Sequence, residues 1–473
     1  MKDLKQSSTK GAVTLGKQRS YQEIVEFLDS NWQTNKSDAQ LSCMKQLDKE
    51  LGSVSQKIPT ILIGGTNGKS ITMHYATKLL KEEGLSVGAF YNPHVLTYNE
   101  RFVCNNEAIS NKTFTDLGNE VLNTASTLCL TPSSFEVLTM MALLYFKSHN
   151  VDIALLEVNE SGAHTAPAIC NPKIVAITRV TDDQCTTDEQ KTTLALSNAL
   201  AIVKKGTHVV SANQSKIHLQ EMQAIAEANG GIWAMPIRKV APLHYPFEQL
   251  HGRCAALAER IADIYINTFT DKDAVVVTNS LLTKQKGRRG RPTLEAKRQS
   301  ELNPKKTIEQ FWKEEHGTLP ARFQVLDKEK PTILLDNASN LDAFKNLLLG
   351  IRLMHYQKPL KGLSLIIGGT NQDLDFEEFY KLLRYFFKKT SGQVLVCPIT
   401  PMAGQKGCTP WNVEEMANAI KGMKVKTKAC KDFKDAFESA TKLVDDRHGL
   451  VVIAGSTSLV SEYWQYKGMK KLS

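Results

Sequence analysis

Apolar residues between positions 58 and 158 follow two alternating periods. The segments "IPTILI" and "VDIALLEV" are apolar on both faces, whereas "ITMHYATKLLKEEG" and "SFEVLTMMALLYFKSHN" repeat apolar residues at helical spacing. Strands that lack polar alternation are typical of a parallel sheet covered by helices on both sides. The pattern therefore predicts βαβ units in this region, with the first helix ending at Gly84.

The same alternation continues and later restarts. "PKIVAITRV" and "GTHVVSA" are predicted strands on either side of a helix over "LALSNALAIVKK", and "CAALAERIADIYINTF" is a further predicted helix. New strands are then predicted at "PTILLDNAS", "GLSLIIGGT", "QVLVCPIT" and "HGLVVIAGS". The sequence thus predicts two α/β domains, residues 1–282 with a helical N-terminal extension over 1–50, and residues 317–473, with an insert or linker over 283–316.

The composition is that of a soluble globular protein with more than one core. The chain has 473 residues, of which 42% are apolar and 23% charged, and this length favours two or three domains. It contains no apolar run near the roughly 18 residues that a membrane helix needs, and its N-terminus lacks the apolar centre of a secretory signal. Nine cysteines without a C-x-x-C pair or zinc spacing favour a reducing compartment, and we expect a cytoplasmic protein.

The net charge of +10 is concentrated in one segment. Residues 284–306 contain nine Lys or Arg and only two Glu, a net charge of +7, which predicts a basic insert rather than a basic fold. Within it, Arg289–Pro292 ("RGRP") is similar to the core of an AT-hook, whose arginines enter the minor groove of A·T-rich DNA. Two interpretations stay open, a solvated loop or a segment that attracts nucleic acid and other polyanions.

The stretch "GTNGKS" lies between a predicted strand and a predicted helix. In such a turn, successive backbone N–H groups and the helix N-terminus point at an anion, a Lys adds charge, and a Ser or Thr hydroxyl can bind Mg²⁺. The spacing is a shortened version of G-x-x-x-x-G-K-[ST], because Ile63 stands where the first Gly is required. The stretch predicts a site for nucleotide phosphates formed by Gly65, Thr66, Asn67, Gly68, Lys69 and Ser70.

Further stretches follow the phosphate loop in a recognisable order. They are "YNPHVLTYNERFVCNNEAIS", "SSFEVLTMMALLYFKSHNVDIALLEV" and, after the insert, "LPARFQVL", "ILLDNASNLDAF" and "IAGSTSLVSEYW". Together they resemble the folylpolyglutamate synthase/dihydrofolate synthase family within the Mur ligase superfamily. The resemblance implies a P-loop-type central ATPase domain with a mostly parallel sheet and a smaller Rossmann-like C-terminal α/β domain. It also implies an ATP-dependent ligase that adds glutamate to a folate or dihydropteroate through an acyl phosphate.

The resemblance also assigns roles to individual residues. The positions that match catalytic residues of the family are Lys69, Glu157 and His94. Glu157 also matches a Mg²⁺ ligand, and Ser70, which restores the Lys-Ser order of an ordinary phosphate loop, could hold the same ion. The second domain's matches to nucleotide-binding positions are Arg322, Asp336 and Asn340. The implied cofactors are ATP and Mg²⁺, and the implied partners are a folate-like carboxylate and glutamate, bound by a monomer that needs no membrane.

Several positions depart from the family's pattern. Asn92 replaces a Mg²⁺-binding Ser, and Gln184 replaces a metal-binding His. Ala199 replaces a carbamylated Lys, and Ser339 replaces the His of D-x-A-H-N. The loss of one group that stabilises a transition state typically lowers the rate about 10²–10³-fold. A further carboxylate could come from Asp182 or Asp183, although solvated loop residues are the alternative.

Three hypotheses therefore stay open. The first is a folate ligase with an altered, single-metal site. The second is a degenerate homologue that binds nucleotide or pteridine without turnover. The third is a ligase that accepts another carboxylate.

Overall fold

Two α/β units, each with its own sheet, form the part of the chain that the structure describes. The computed structural model describes residues 16–32, 39–159, 162, 165–181, 189–212, 215–235, 240–272, 274–277, 307–315, 319–370, 374–402 and 408–472. The first unit lies within residues 16–315 and has an eight-stranded sheet, and the second lies within 319–472 and has a six-stranded sheet. The predicted α/β class with mostly parallel sheets is confirmed.

The bounds of the elements are as follows. The helices are α1 Tyr21–Ser30, α2 Ala39–Glu50, α3 Lys69–Glu82, α4 Asn111–Thr127, α5 Ser134–Ser148, α6 Glu189–Leu200, α7 Lys216–Ala228, α8 Phe247–Phe269, α9 Ile308–Glu314, α10 Leu341–Gln357, α11 Phe376–Phe387, α12 Val413–Gly422, α13 Phe433–Lys442 and α14 Thr457–Tyr466. The strands are β1 Thr60–Gly64, β2 Val87–Phe90, β3 Phe102–Cys104, β4 Glu107–Ala108, β5 Ile153–Glu157, β6 Pro172–Ile177, β7 His208–Ser211, β8 Ile232–Trp233, β9 Gln324–Leu326, β10 Thr332–Leu335, β11 Leu363–Ile367, β12 Gln393–Val396, β13 Thr427–Ala429 and β14 Leu450–Ala454. Within the described ranges, none of these helices is long and apolar enough to cross a bilayer.

The first sheet has the strand order β4-β3-β2-β5-β1-β6-β7-β8. Strands β2, β5, β1, β6, β7 and β8 run parallel, and β3 and β4 add an antiparallel edge. All residues of β1 and β5 are buried, because α4 and α5 cover one face and α3 and α8 cover the other. The carboxyl ends of β1, β5 and β6 therefore meet at one edge, which is where open α/β sheets bind ligands.

The second sheet has the order β13-β12-β11-β14-β10-β9, with only β9 antiparallel to its neighbour. Helices α10, α11 and α12 pack on one face and α13 and α14 on the other. β11 and β14 are fully buried. As in the first sheet, strand burial on both faces explains why apolar runs without polar alternation predicted these strands.

Both described ends of the stretch between α8 and α9 are fixed to the first unit. The carboxylate of Glu83 accepts hydrogen bonds from the backbone N–H groups of residues 275–277 at 2.6, 2.8 and 2.8 Å. On the far side, α9 buries Phe311 and Trp312 in the same core as α3 and α8. The predicted domain bounds at 282 and 317 stay a prediction, with α9 packed on the core of the first sheet.

Two helices differ in their bounds from the sequence prediction. α6 ends at Leu200, whereas the pattern continued it to Lys205, because Ile202 and Val203 are buried in the core as the chain turns toward β7. α8 begins at Phe247, before the predicted start. The pattern missed its first turns because they are mostly polar and show no apolar period. The strands β3, β4, β8, β9 and β13 were not predicted, since two or three residues are too few to show a period.

Trp312→Ala is expected to destabilise the first unit. The indole is fully buried, packs edge-on against Tyr75 with ring centroids 5.5 Å apart, and donates to a carboxylate oxygen of Glu259 at 3.1 Å. Because its removal leaves a cavity, we expect the free energy of unfolding to fall by about 3–5 kcal/mol. Urea unfolding measures this. Tyr356→Ala, at a side chain 69% exposed, is the control and should change stability by about 0.5 kcal/mol or less, so equal effects would contradict the described packing.

Candidate active site

The phosphate loop leaves the carboxyl end of β1 and enters α3. Gly65 and Gly68 have φ angles of +115° and +93°, which residues with a side chain rarely adopt. A Cβ atom at Gly65 would overlap the hydroxyl of Thr178, and one at Gly68 would lie 2.8 Å from the Sγ of Cys254. Gly68 caps α3 without a side-chain hydrogen bond, so the first backbone N–H groups of this helix can bind an anion.

The remainder of the loop is held by the exit of β6 and by its own lysine. The backbone N–H groups of Thr66 and Asn67 donate to the carbonyl oxygen of Arg179 at 2.8 and 3.2 Å. The Nζ of Lys69 donates to the carbonyl oxygens of Gly65 and Thr66 at 2.8 and 3.0 Å. The ammonium group therefore stays at the loop, where it adds positive charge to the helix N-terminus.

A buried carboxylate lies beside the first turn of α3. Glu157 ends β5 and is 3% exposed. Its Oε2 accepts from the hydroxyl of Ser70 at 3.0 Å and from the backbone N–H of Asn92 at 3.2 Å. Burial raises the pKa of Glu157, and the positive charges of Lys69 and Arg322 lower it. A carboxylate that burial disfavours and cations stabilise is suited to a divalent ion.

The second unit contributes Arg322 and Asp336. The Nη2 of Arg322 donates to the hydroxyl of Ser70 at 3.2 Å, and burial lowers the pKa of Arg322. The two carboxylate oxygens of Asp336 accept from the backbone N–H groups of Phe323 and Ala338 at 2.7 and 2.8 Å. Burial raises the pKa of Asp336 to about 6. Because Phe323 follows Arg322 in the chain, Asp336 fixes the backbone from which Arg322 reaches the first unit.

Asn67 joins the phosphate loop to the second unit. Its side-chain amide exchanges two hydrogen bonds with that of Asn340, at 3.0 and 3.1 Å, and its Nδ2 also donates to Oδ2 of Asp342 at 3.0 Å. Asn340 is the N-cap of α10 and accepts from the backbone N–H of Ala343 at 2.8 Å. The Oδ1 of Asp342 lies 2.7 Å from the Nη2 of Arg179. The side chains of residues 67, 179, 340 and 342 form a polar bridge between the units, called here the inter-unit contact.

His94 lies beside this site rather than in it. It is buried, its Nδ1 accepts from the Nε of Arg101 at 2.8 Å, and burial together with that cation holds its pKa well below the usual value. Arg101 also donates to the Oδ1 of Asn92 at 2.5 Å and lies over the rings of Trp32 and Tyr98. Among the described residues that line the cleft, Asn92 occurs and His94 does not. The catalytic role of His94 stays a prediction.

One cleft of about 900 Å³ between the units gathers the other predicted residues. It is lined by the whole phosphate loop, Glu157, Arg322, Asp336 and Asn340. The divergent positions Asn92, Ala199 and Ser339 line it as well. Three further predicted residues and the basic segment lie outside the described residues: Asp182, Asp183, Gln184 and 284–306.

The residues of the cleft fit a nucleotide polyphosphate and a magnesium ion. A glycine turn with no space for a Cβ at Gly65, a helix N-terminus and two cations suit phosphate groups. The oxygen atoms of Ser70 and Glu157 suit Mg²⁺, which proteins usually hold with one or two carboxylates together with substrate phosphates. The described part of the chain gathers no group of three or more His, Cys, Asp or Glu that could hold a metal, so the nucleotide would supply further ligands.

Comparison with known proteins extends this picture. No family model matches the chain. The dihydrofolate synthase/folylpolyglutamate synthase of Bacillus subtilis is 30% identical over 224 residues, which cover 46% of this chain and 49% of that protein. The folylpolyglutamate synthase of Lacticaseibacillus casei is 23% identical over 336 residues, 69% and 74% of the two chains. The chain thus spans about half the length of the Bacillus relative that it matches.

Solved structures resemble the chain over nearly its whole length. Mycobacterium tuberculosis folylpolyglutamate synthase complexed with ADP superposes with a TM-score of 0.74 at 19% identity, covering 96% of this chain and 99% of that one. The bifunctional Yersinia pestis enzyme complexed with AMPPNP and a Mn ion gives 0.70 at 17% identity, covering 95% and 98%. In sequence and in fold the chain is similar to folylpolyglutamate and dihydrofolate synthases. The sequence identities are low, and the predicted Mur-ligase-like fold is confirmed.

Two residues of the inter-unit contact, Arg179 and Asp342, were not predicted from the sequence. Arg179 lies just after the carboxyl end of β6, and ligands of open α/β sheets bind at that end of the strands, so this position was the signal that could have found it. Asp342 lies in the first turn of α10, where an acidic residue stabilises the helix dipole. Its position alone therefore indicates a helix start and not a contact with another unit.

Gly65→Ala is expected to damage the phosphate loop both by backbone strain and by overlap of the new Cβ with Thr178. Gly84→Ala is the control that has the backbone strain alone. Both glycines have positive φ, but among the described atoms only Gly65 has a neighbour that a Cβ would overlap, Thr178. We expect Gly84→Ala to lower the free energy of unfolding by about 1 kcal/mol, the cost of left-handed backbone. Gly65→Ala should lower it further and weaken binding of ATP·Mg²⁺ about tenfold or more. Urea unfolding and isothermal titration calorimetry measure both effects, and indistinguishable variants would contradict the close approach of loop and β6.

The raised pKa of Asp336 predicts a pH dependence of stability. The folded protein binds this proton more tightly than the unfolded chain, in which Asp titrates near about 3.9. The stability that it contributes is therefore full below about pH 4 and is lost as the pH rises through about 6. The loss is at most about 3 kcal/mol. Because Asp336→Asn removes the titration, urea unfolding between about pH 4 and 7 should give this variant a flatter profile than the parent.

A control of opposite sign is available on the same unit. A hydrogen bond from Lys428 lowers the pKa of Asp435, so the stability that Asp435 contributes is lost as the pH falls. Asp435→Asn should therefore remove a loss of stability that occurs as the pH falls, whereas Asp336→Asn removes a loss that occurs as the pH rises. Parallel profiles for the parent and Asp336→Asn would show that Asp336 is not held in a buried environment.

Proposed function

We propose that the protein is an ATP-dependent ligase that joins the amine of glutamate to a folate-like carboxylate. The observation that carries the proposal is the cleft in which Lys69, Glu157 and Arg322 surround the first turn of α3. The relatives support it, because the curated ones are named dihydrofolate and folylpolyglutamate synthases, and the Mycobacterium and Yersinia structures are complexed with ADP and AMPPNP.

The proposed reaction has two steps. The substrate carboxylate attacks the γ-phosphoryl group of ATP, which forms an acyl phosphate and releases ADP. The glutamate amine then attacks the acyl carbon, the amide bond forms, and the departing phosphate takes the amine proton. Phosphoryl transfer of this kind depends mainly on positioning and on neutralisation of charge.

We assign the protein's part in this reaction to residues of both units. The N-terminus of α3 and Lys69 bind the β- and γ-phosphates, and Arg322 adds positive charge from the second unit. Ser70 and Glu157 would hold Mg²⁺, which neutralises phosphate charge when bound. Asp336 orients Arg322 through the neighbouring backbone.

The divergent positions favour a single ion. The methyl group of Ala199 cannot carry a carbamate, and the Oδ1 of Asn92 already accepts from Arg101. Ser339 offers a hydroxyl in place of an imidazole. The described residues thus offer ligands for one ion at Ser70 and Glu157 and contain no group of three or more His, Cys, Asp or Glu that could hold another, so we propose catalysis with one Mg²⁺.

We propose the following setting for this activity. The ATP-binding part lies within residues 1–282 and the C-terminal domain within 317–473. The protein acts on small molecules in the cytoplasm as a monomer. The basic insert, for which attraction of nucleic acid is the alternative to a solvated loop, takes no part in the proposed ligase chemistry.

The test is phosphate release from ATP in the presence of dihydropteroate or tetrahydrofolate, with and without glutamate. The parent should release phosphate only when the carboxylate substrate and glutamate are both present. Glu157→Gln keeps the shape of the side chain but removes its charge, and it should lower the rate about 10²–10³-fold. Lys69→Ala should weaken binding of ATP·Mg²⁺, measured by calorimetry.

Other results would select other functions. Binding of ATP·Mg²⁺ with phosphate release at background for every substrate would indicate a binding protein without turnover. Release with a carboxylate other than a folate would indicate a ligase of different specificity. ATP binding by Lys69→Ala equal to that of the parent would contradict a role for the phosphate loop.

A further inference from the structure

The carboxylate of Asp342 is shared between two groups of the first unit. Its Oδ1 lies 2.7 Å from the Nη2 of Arg179, and its Oδ2 accepts from the Nδ2 of Asn67 at 3.0 Å. Arg179 in turn supports the phosphate loop, because its carbonyl oxygen accepts from the N–H groups of Thr66 and Asn67. One side chain of the second unit thus contacts the loop and also the residue that holds the loop in place.

We propose that Arg179 and Asp342 are positioning residues that dock the second unit onto the phosphate loop, so that Arg322 reaches Ser70. The contact of Arg322 with Ser70, at 3.2 Å, lies in the same cleft. Both docking residues line this cleft as well. The proposal rests on the proposed function only in that the loop binds a nucleotide.

The pair is suited to orient two bodies without locking them together. The side chains of Arg179 and Asp342 are 50% and 17% exposed, and ion pairs of such exposure contribute little to folding and weaken as salt rises. Asp342 also lies at the N-terminal turn of α10, where the helix dipole stabilises a carboxylate. Loss of the pair should therefore change the geometry of the cleft more than the stability of either unit.

The test uses four full-length variants: Arg179→Ala, Asp342→Ala, the double variant, and the charge swap Arg179→Asp with Asp342→Arg. Calorimetry gives the affinity for ATP·Mg²⁺, and hydrogen exchange without nucleotide reports on residues 64–72 and 340–345. We expect each single variant to lower the affinity for ATP·Mg²⁺ about three- to tenfold. The double variant should lower it no further than the more affected of the two single variants. The swap should recover part of the affinity, and about 0.5 M salt should reduce the differences.

Lys428→Ala is the matched control, because Lys428 and Asp435 form an ion pair of similar length, 2.8 Å, and exposure, 49% and 26%, with neither residue lining the cleft. It should leave nucleotide affinity and exchange at the loop unchanged. Faster exchange at 64–72 and 340–345 in the Arg179 and Asp342 variants, with an unchanged urea midpoint, supports docking. Additive effects of the two substitutions, or exchange equal to the parent, would overturn the proposal.

Failure of the proposed function gives a different result. If neither the parent nor any variant binds ATP·Mg²⁺, the nucleotide site is absent. The exchange rates of the four variants then still decide whether Arg179 and Asp342 dock the second unit on the loop.

Discussion

Burial of the Glu157 carboxylate is the interaction on which the rest of the cleft depends. A carboxylate removed from water is costly unless donors and cations surround it. Its hydrogen-bond donors are the hydroxyl of Ser70 and the backbone of Asn92, and Arg322 adds charge from the other unit. Because these groups belong to different elements, the charge is compensated only where the loop, the exit of β2 and the second unit meet. The Glu157 carboxylate is therefore compensated only when the phosphate loop, the exit of β2 and the second unit have come together.

Asn92 shows how a divergent position can be built into this scheme. Its backbone N–H donates to Glu157, while its Oδ1 accepts from Arg101. Burial lowers the pKa of Arg101 to about 10, and its side chain donates to the neutral groups of Asn92 and His94. The residue thus links a buried anion to a buried cation that do not touch. The side chain of Asn92 therefore binds Arg101, where the resemblance implies a Ser that binds Mg²⁺.

Local patterns in the sequence predicted most of the fold and those parts of the site that come from contiguous residues, but not its contacts between distant parts of the chain. β1, β5, β11 and β14 are buried on both faces, so their apolar runs were visible. The phosphate loop was visible because its glycines, Lys69 and Ser70 lie next to one another. The pairing of Asn67 with Asn340 spans 273 positions, and it exists only because the two units meet. The buried orientation of His94 was equally hidden, since a motif gives the residue and not the direction of its side chain.

The anchoring of residues 275–277 by Glu83 and of α9 by Trp312 has a consequence for how the chain can vary. Both attachment points pack against the core of the first unit, so the basic stretch between them is joined at each end to the same unit. The entropic cost of joining two fixed points by a flexible segment grows slowly, by about 0.6 kcal/mol for each doubling of the length of the segment. Lengthening, shortening or recharging that stretch is therefore expected to have little effect on the packing of the first unit.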